Sequence, residues 1–468
     1  MKNLLVGNGI NIEFGGKDFL SKWIFIRMIA KAKQNLYNDL FKADETSEAA
    51  IEGDGIVNIF NNFVPLINNA INGKYDEKVP KNLKSALTEF KKTYNEPISK
   101  PDQIGIEDWL LVFEFFYIDN PDVISQKRAT LQGVERMILD AIYCDGRLQE
   151  TYKTMMTAKK FFKQFEQIFT LNYDNNIEKI TEVPVYHLHG DYSVLPDSEN
   201  PHTIPGFARR QDGASIYIPL NFEHCFCNAL LSYSGNKKYT FAKDFQNANN
   251  YYNKLKGGTG TQQENLKRGI VDLYKTIFPD EHYLQLTPNI AIEHPELQGW
   301  SDYHFSEFEN IEGALFIIGV NPQNDSHIFD CICKSLENGN LEKVVYYCTN
   351  PKNMKLPDML EKFNNLVEIK NVNDVWVKYC RNWHNTALKQ SQGVPPVTAK
   401  CIYEAMEYEL SKEEYRNSPP SEQALLRQMR SFARTLQINE LPPEELLMFY
   451  FNYKNRFKTN KDSKKKPK

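Results

Sequence analysis

The first apolar run, Leu4-Leu5-Val6, stops after three residues at Gly7-Asn8-Gly9. A buried run broken by a glycine turn predicts a short strand leading into a helix. Apolar positions then recur at helical spacing through Phe19–Leu40, Ile56–Ala70, Leu83–Tyr94, Trp109–Tyr117 and Ala129–Ile142. About 140 residues therefore read as mainly helical. Strand-like runs return at Gln167–Leu171, followed by polar Asn172-Tyr173-Asp174, and at Val183–Leu188, followed by His189-Gly190. The clearest strand is Ala314–Ile318, which runs into Gly319-Val320-Asn321-Pro322, and a helical stretch separates it from Val344–Cys348. Strand, turn and helix in this succession predict a parallel sheet.

Between Asp191 and Ile311 the chain is polar and rich in Asn and Tyr. Lys256-Gly257-Gly258-Thr259-Gly260-Thr261 reads there as a flexible loop, because it lacks the Gly-Lys-Ser/Thr ending of a phosphate-binding loop. Beyond about residue 385 the pattern is helical again, with proline breaks at 395–396, 419–420 and 442–443. There is no internal repeat. The expected organisation is a domain over 1–380 with a helical insertion at about 30–160, then a helical region over 386–468.

Hydrophobic residues make up 41% of the 468 and charged residues 25%, which excludes a wholly disordered or fibrous chain. The longest apolar run, Trp109–Ile118, is interrupted by Glu114 and falls short of the roughly 18 residues that span a bilayer, so no membrane association is expected. The N-terminus reaches its glycine turn too soon for a secretory signal core, which predicts a cytoplasmic protein. The net charge of −4 conceals a tail, Lys454–Lys468, with eight Lys or Arg against the single Asp462. The remaining body is acidic, and nucleic acid is not an expected partner for it. Eight cysteines (144, 225, 227, 331, 333, 348, 380 and 401) include no C-x-x-C pair, so a zinc ribbon has no support and reduced thiols are expected.

Glycines at the end of a strand let backbone N–H groups approach a pyrophosphate, and the helix N-terminus that follows favours its charge. A bare G-x-G is weak evidence for this, and by itself reads as an ordinary strand-to-helix turn. The residues around it narrow the choice. Gly7-Asn8-Gly9-Ile10-Asn11, then Gly15, Asp18 and Phe19, resemble the sirtuin signature G-A-G-I-S-x-x-S-G-I-P-D-F-R in order and spacing. Thr170-Leu171-Asn172-Tyr173-Asp174 is similar to the family's T-Q-N-I-D, and His187-Leu188-His189-Gly190 to its catalytic H-G. Gly319-Val320-Asn321 sits where G-T-S follows an apolar strand, and Asn350 resembles the later I-N. The four-cysteine zinc module of sirtuin deacylases has only Cys225 and Cys227 in its place, and Lys17 and Leu20 stand where the family has Pro and Arg. The closer resemblance is to zinc-free sirtuin-like domains of bacterial antiphage systems, such as Thoeris-type effectors, which hydrolyse NAD.

That resemblance implies an α/β fold with a Rossmann-like, sirtuin-like parallel sheet, a large helical insertion and a helical C-terminal region. It implies NAD as substrate and no metal. Asn172 and His189 would be catalytic, and Gly7, Asn8, Gly9, Asn11, Asp18, Asp174, Gly319, Asn321 and Asn350 would contact the dinucleotide, with local structural contacts the alternative for Asp18 and Asp174. The implied activity is an NAD glycohydrolase releasing nicotinamide and ADP-ribose, as a regulated NAD-depleting effector of abortive infection whose activity is controlled by assembly into a homo-oligomer or by a partner defence protein. A protein deacylase or ADP-ribosyl transferase is the alternative within the class, and a noncatalytic sensor of NAD or ADP-ribose the alternative outside it. The residue types suit the chemistry. Cleaving the nicotinamide–ribose bond builds positive charge on the ribose, as in glycoside hydrolysis. The Asn172 amide oxygen can face that cation or a water, and His189 can hydrogen-bond a ribose hydroxyl or act as a general base. His187, at the strand end, reads instead as a structural histidine, and Cys225, Cys227 and His224 as an incomplete ligand set.

Overall fold

The computed structural model describes residues 1–42, 46, 48–49, 51–149, 151–152, 156–193, 218–243, 303–322, 324–351, 358–379 and 394–411, with isolated residues over 246–272 and at 427, 430 and 434. Among these, β1 (Lys2–Val6), β2 (Gln167–Thr170), β3 (Val185–His187), β4 (Gly313–Ile318), β5 (Leu341–Cys348) and β6 (Val367–Asn371) form one all-parallel sheet. Its order is β3-β2-β1-β4-β5-β6. This is a Rossmann-like α/β fold, in which the chain reverses its direction of travel across the sheet between β1 and β4.

Alternate residues of each strand feed two apolar clusters. Leu4, Val6, Ile168 and Ile318 pack with Phe14, Phe161, Phe162 and Trp376 on one face. Leu5, Phe169, Leu315, Ile317 and Val344 pack with Phe305, Phe308, Ile328 and Ile332 on the other. A sheet covered on both sides needs apolar residues at consecutive positions, which is why Leu4-Leu5-Val6 is unbroken. Each such side chain contributes about 1.5–3 kcal/mol by leaving water. The edge strand β6 obeys a different rule. Its residues are half-buried, and Glu368 pairs with Lys343 and Lys370. Charges on an edge discourage pairing with another chain, and they also remove the apolar run by which this strand would be read from sequence.

The chain divides into two compact units. One holds Met1–Gly15, Ala43–Ser47 and Tyr143–His384, and with them the sheet. The other holds Gly16–Lys42, Glu48–Ile142 and Asn385–Lys468. In the second unit the Ser21–Lys33 helix packs against the Gly53–Asn62 and Pro396–Leu410 helices. Phe25 stacks on Trp109 at 5.6 Å, and Phe60 meets the same ring edge-on at 4.7 Å. The helical segment expected at about 30–160 thus corresponds to residues beginning at Gly16 and ending at Ile142. The Pro396–Leu410 helix, expected in a separate C-terminal region, belongs with it. Asp18 is the reason: its carboxylate accepts from the backbone N–H groups of Val397 and Thr398 and from Thr398 Oγ1 at 2.7–3.1 Å.

No described helix is long and apolar enough to cross a membrane. The 256–259 loop, the prolines at 419–420 and 442–443, and the basic tail lie outside the described residues.

Candidate functional site

β1 and β4 end side by side, Val6 opposite Ile318, at the point where the strand order reverses. In open parallel sheets ligands bind outside the carboxyl ends of the strands at such a point. Gly7 N–H donates to Ile318 O over 3.0 Å, and Gly9 N–H donates to Gly319 O over 3.4 Å. A Cβ on Gly7 would collide with the Gly319 carbonyl, one on Gly9 would stand 2.6 Å from Gly319 Cα, and Gly319 itself has φ +69°. The three glycines are therefore explained by two turns touching backbone to backbone. The N–H groups of Gly7 and Gly9, expected to face a pyrophosphate, are bonded to the neighbouring turn.

Asn172 and His189 occupy equivalent places on adjacent strands. Thr170 of β2 pairs with His187 of β3, and each candidate lies two residues beyond. Both are buried, at 8% and 2% exposure. Asn172 Nδ2 donates to Gly7 O over 3.3 Å, and its backbone N–H to Thr170 Oγ1 over 3.1 Å. Because Gly7 O can only accept, the amide nitrogen must face it. Asn172 Oδ1 receives no hydrogen bond among the described residues.

Asn11 and Asp174 are also brought together, but with each other. Asn11 Nδ2 donates to Asp174 Oδ2 over 2.5 Å, while Tyr152 Oη donates to Asn11 Oδ1 over 2.5 Å. The second carboxylate oxygen accepts from the backbone and the side chain of Asn176, at 3.2 and 2.7 Å. Burial pushes the Asp174 carboxyl up, and the hydrogen bonds from Asn11 and Asn176 counteract it in part. These polar atoms clasp the Asn8–Gly15 helix to the loop after β2. Their partners Tyr152 and Asn176 had no motif to announce them.

The structural histidine has a defined task. His187 Nδ1 donates to Asn172 O over 2.8 Å, and Nε2 meets the carboxylate of Glu178. Both partners are acceptors, so both ring nitrogens carry hydrogen and the ring is an imidazolium. Burial opposes that charge, but the hydrogen bond and charge of Glu178, with the charge of Asp191, raise His187 to about 9.

His189 has a partner that sequence reasoning missed. Its Nε2 lies 3.0 Å from Nε2 of His327, in the first turn of the Ser326–Glu337 helix. Burial, then the positive charge of Lys238, hold both rings well on the neutral side, with His327 down to about 3. Asp325 completes a group whose ligand-type atoms lie within 4.8 Å of one another. The two rings nonetheless point at each other. Their centroids are 5.2 Å apart, and the excess over the nitrogen separation is only the two ring radii. A metal on that line would need the nitrogens about 4 Å apart, twice a Zn–N bond of about 2.0–2.1 Å. The 3.0 Å separation fits a hydrogen bond instead.

The remaining candidates are scattered. Asn8 is exposed at the start of its helix, Asn321 is exposed and its carbonyl accepts from Asn324 and Asp325, and Asn350 is exposed beyond β5. Asp18 belongs to the second unit, where, besides its bonds to Val397 and Thr398, it pairs with Arg27 at 3.4 Å. His327 carried no signal beyond an Asn-Asp-Ser-His helix start, and Lys238 none. Comparison with family models, curated proteins and solved structures returns no match for this chain.

Proposed function

We propose that this chain is an NAD glycohydrolase that cleaves the nicotinamide–ribose bond to nicotinamide and ADP-ribose. The observation carrying this reading is the held amide of Asn172: its nitrogen is bonded to the Gly7 carbonyl at the strand-order reversal, and its oxygen accepts from no described group. A fixed, uncommitted amide oxygen at a strand end is suited to facing a developing ribose cation or aligning a water, since a dipole that does not reorganise stabilises charge best. Neutral His189 on the adjacent strand end suits a hydrogen bond to a hydroxyl. The motif order of the sequence adds the substrate class. No metal takes part in this scheme.

A constitutive NAD hydrolase would exhaust a shared cofactor, so the reading extends to a regulated effector of antiphage immunity, switched by homo-oligomer assembly or a partner protein. Moving a two-state equilibrium from 1:99 to 99:1 takes about 5.5 kcal/mol of differential binding, which an interface can supply. The test is purified protein incubated with NAD, with and without phage-infected lysate, followed by chromatography of nicotinamide and ADP-ribose and by light scattering. Stoichiometric release of both products supports the reading. Binding of NAD without cleavage under every condition would replace the hydrolase with a nucleotide sensor.

A further inference from the structure

The head-to-head histidine pair contains information about its protons. One Nε2 must donate and the other accept, and each neutral imidazole carries a single N–H. His327 Nδ1 is buried and has no hydrogen-bond partner among the described residues. It faces Gly235, the first residue of a helix over 235–243, so closely that a Cβ there would collide with Nδ1. The hydrogen on Gly235 Cα can meet a lone pair as a weak C–H donor, but it would repel an N–H. A buried N–H with no acceptor is also among the rarest features of folded proteins.

We propose that His327 is a positioning residue that fixes the tautomer of His189: His327 donates its Nε2–H to His189 Nε2, and His189 therefore holds its own hydrogen on Nδ1. The pair has no simple way to take up a further proton. On His189 Nε2 it would set two N–H groups against each other, and on His327 Nδ1 it would point at Gly235. The groups around the pair add to this: the ammonium of Lys238, bonded to Tyr173 Oη, opposes added positive charge on both rings, and among the described residues Asp325 and Tyr239 also lie beside it. Where NAD cleavage is the reaction, a role that rests on the function proposed above, His189 then acts as a hydrogen-bond donor to an oxygen and not as the general base. That choice between two roles cannot be made from His189 alone.

The experiment is 15N–1H correlation NMR of the full chain labelled at histidine, from about pH 5.5 to 8, with His327→Gln and His327→Leu beside it. The expected wild-type pattern is His189 protonated on Nδ1 and His327 on Nε2, both unchanged across the range. His327→Gln retains an N–H donor and should keep the His189 pattern, whereas His327→Leu should lose the single tautomer and let His189 titrate. A His189 hydrogen found on Nε2 in the wild type overturns the assignment, and so does an unchanged His189 pattern in His327→Leu. Stoichiometric zinc in the purified protein that is lost in His327→Leu would overturn it as well. Should a variant fail to fold, the wild-type spectrum still decides. An NAD assay on the same samples separates the two readings: absent turnover with the expected tautomers fails only the hydrolase, while active protein with a pH inflection from His189 fails only the donor role.

Discussion

The imidazolium of His187 donates to the backbone carbonyl of Asn172 over 2.8 Å, so the end of β3 holds the peptide that carries the candidate amide beyond β2. Glu178 holds the other side of the ring. A charged residue beside the site thus positions it without facing a ligand itself.

This arrangement makes stability depend on pH in a defined direction. The folded-state value of about 9 lies above the ordinary 6.5. The folded state therefore binds the proton more tightly, and the contribution is complete below about pH 6.5 and lost as pH rises through about 9. With Glu178 36% exposed and screened, it is worth about 2 kcal/mol. The melting temperature of wild type should exceed that of Glu178→Gln at about pH 6, and the gap should close by about pH 10. A gap constant over that range would show that the pair is not charged as described.

For the proposed chemistry, Asn172→Ala and His189→Ala should each reduce NAD turnover on the order of 10²-fold or more, equivalent to about 2.7 kcal/mol of barrier. Far-ultraviolet circular dichroism should show the fold retained. Near-wild-type rates in both variants would remove these residues from the reaction.

The glycine turns allow a test in which geometry alone separates two substitutions. Gly339 has φ +74° with open space around it, so Gly339→Ala should cost about 1–2 kcal/mol of backbone strain. Gly7→Ala adds a collision with a carbonyl that is itself held in the β1–β4 contact, and should cost about 3 kcal/mol or more. Urea unfolding of the pair measures the difference, and equal midpoints would mean that the two turns do not touch as described.

Asp18 separates resemblance from structure. Arg27 is fully buried and donates through Nη1 to the Asp18 carbonyl and Thr398 Oγ1, and through Nε to Ala141 O. Asp18→Ala leaves that guanidinium without its carboxylate and should destabilise the protein by about 3–5 kcal/mol, more than the roughly 1 kcal/mol of a lost helix cap. Tryptophan fluorescence during urea unfolding would report it through Trp23 and Trp109, whose burial belongs to the same unit. A variant as stable as wild type would show that Asp18 does not hold Arg27 and the Pro396–Leu410 helix as described.

Local chemistry made much of this fold readable. β1 to β5 are short apolar runs ending in Gly or polar residues, and the Gly53–Asn62 and Lys84–Thr93 helices show the 3.6-residue recurrence of a one-sided burial. Asn172 and His189 could be singled out because each follows such a run directly. β6 could not, since Glu368 and Lys370 interrupt its apolar positions. Nor could the relationships that give the site its character. Asn11 meets Asp174 across 163 residues and His189 meets His327 across 138, while Gly7 needs its missing side chain because of Gly319. A hydrogen bond between distant segments leaves no periodic trace in either one, because its partner is chosen by strand order and register. Only the folded sheet, by bringing β1 beside β4 and β2 beside β3, decided which polar groups are bonded to one another and which amide oxygen is left uncommitted.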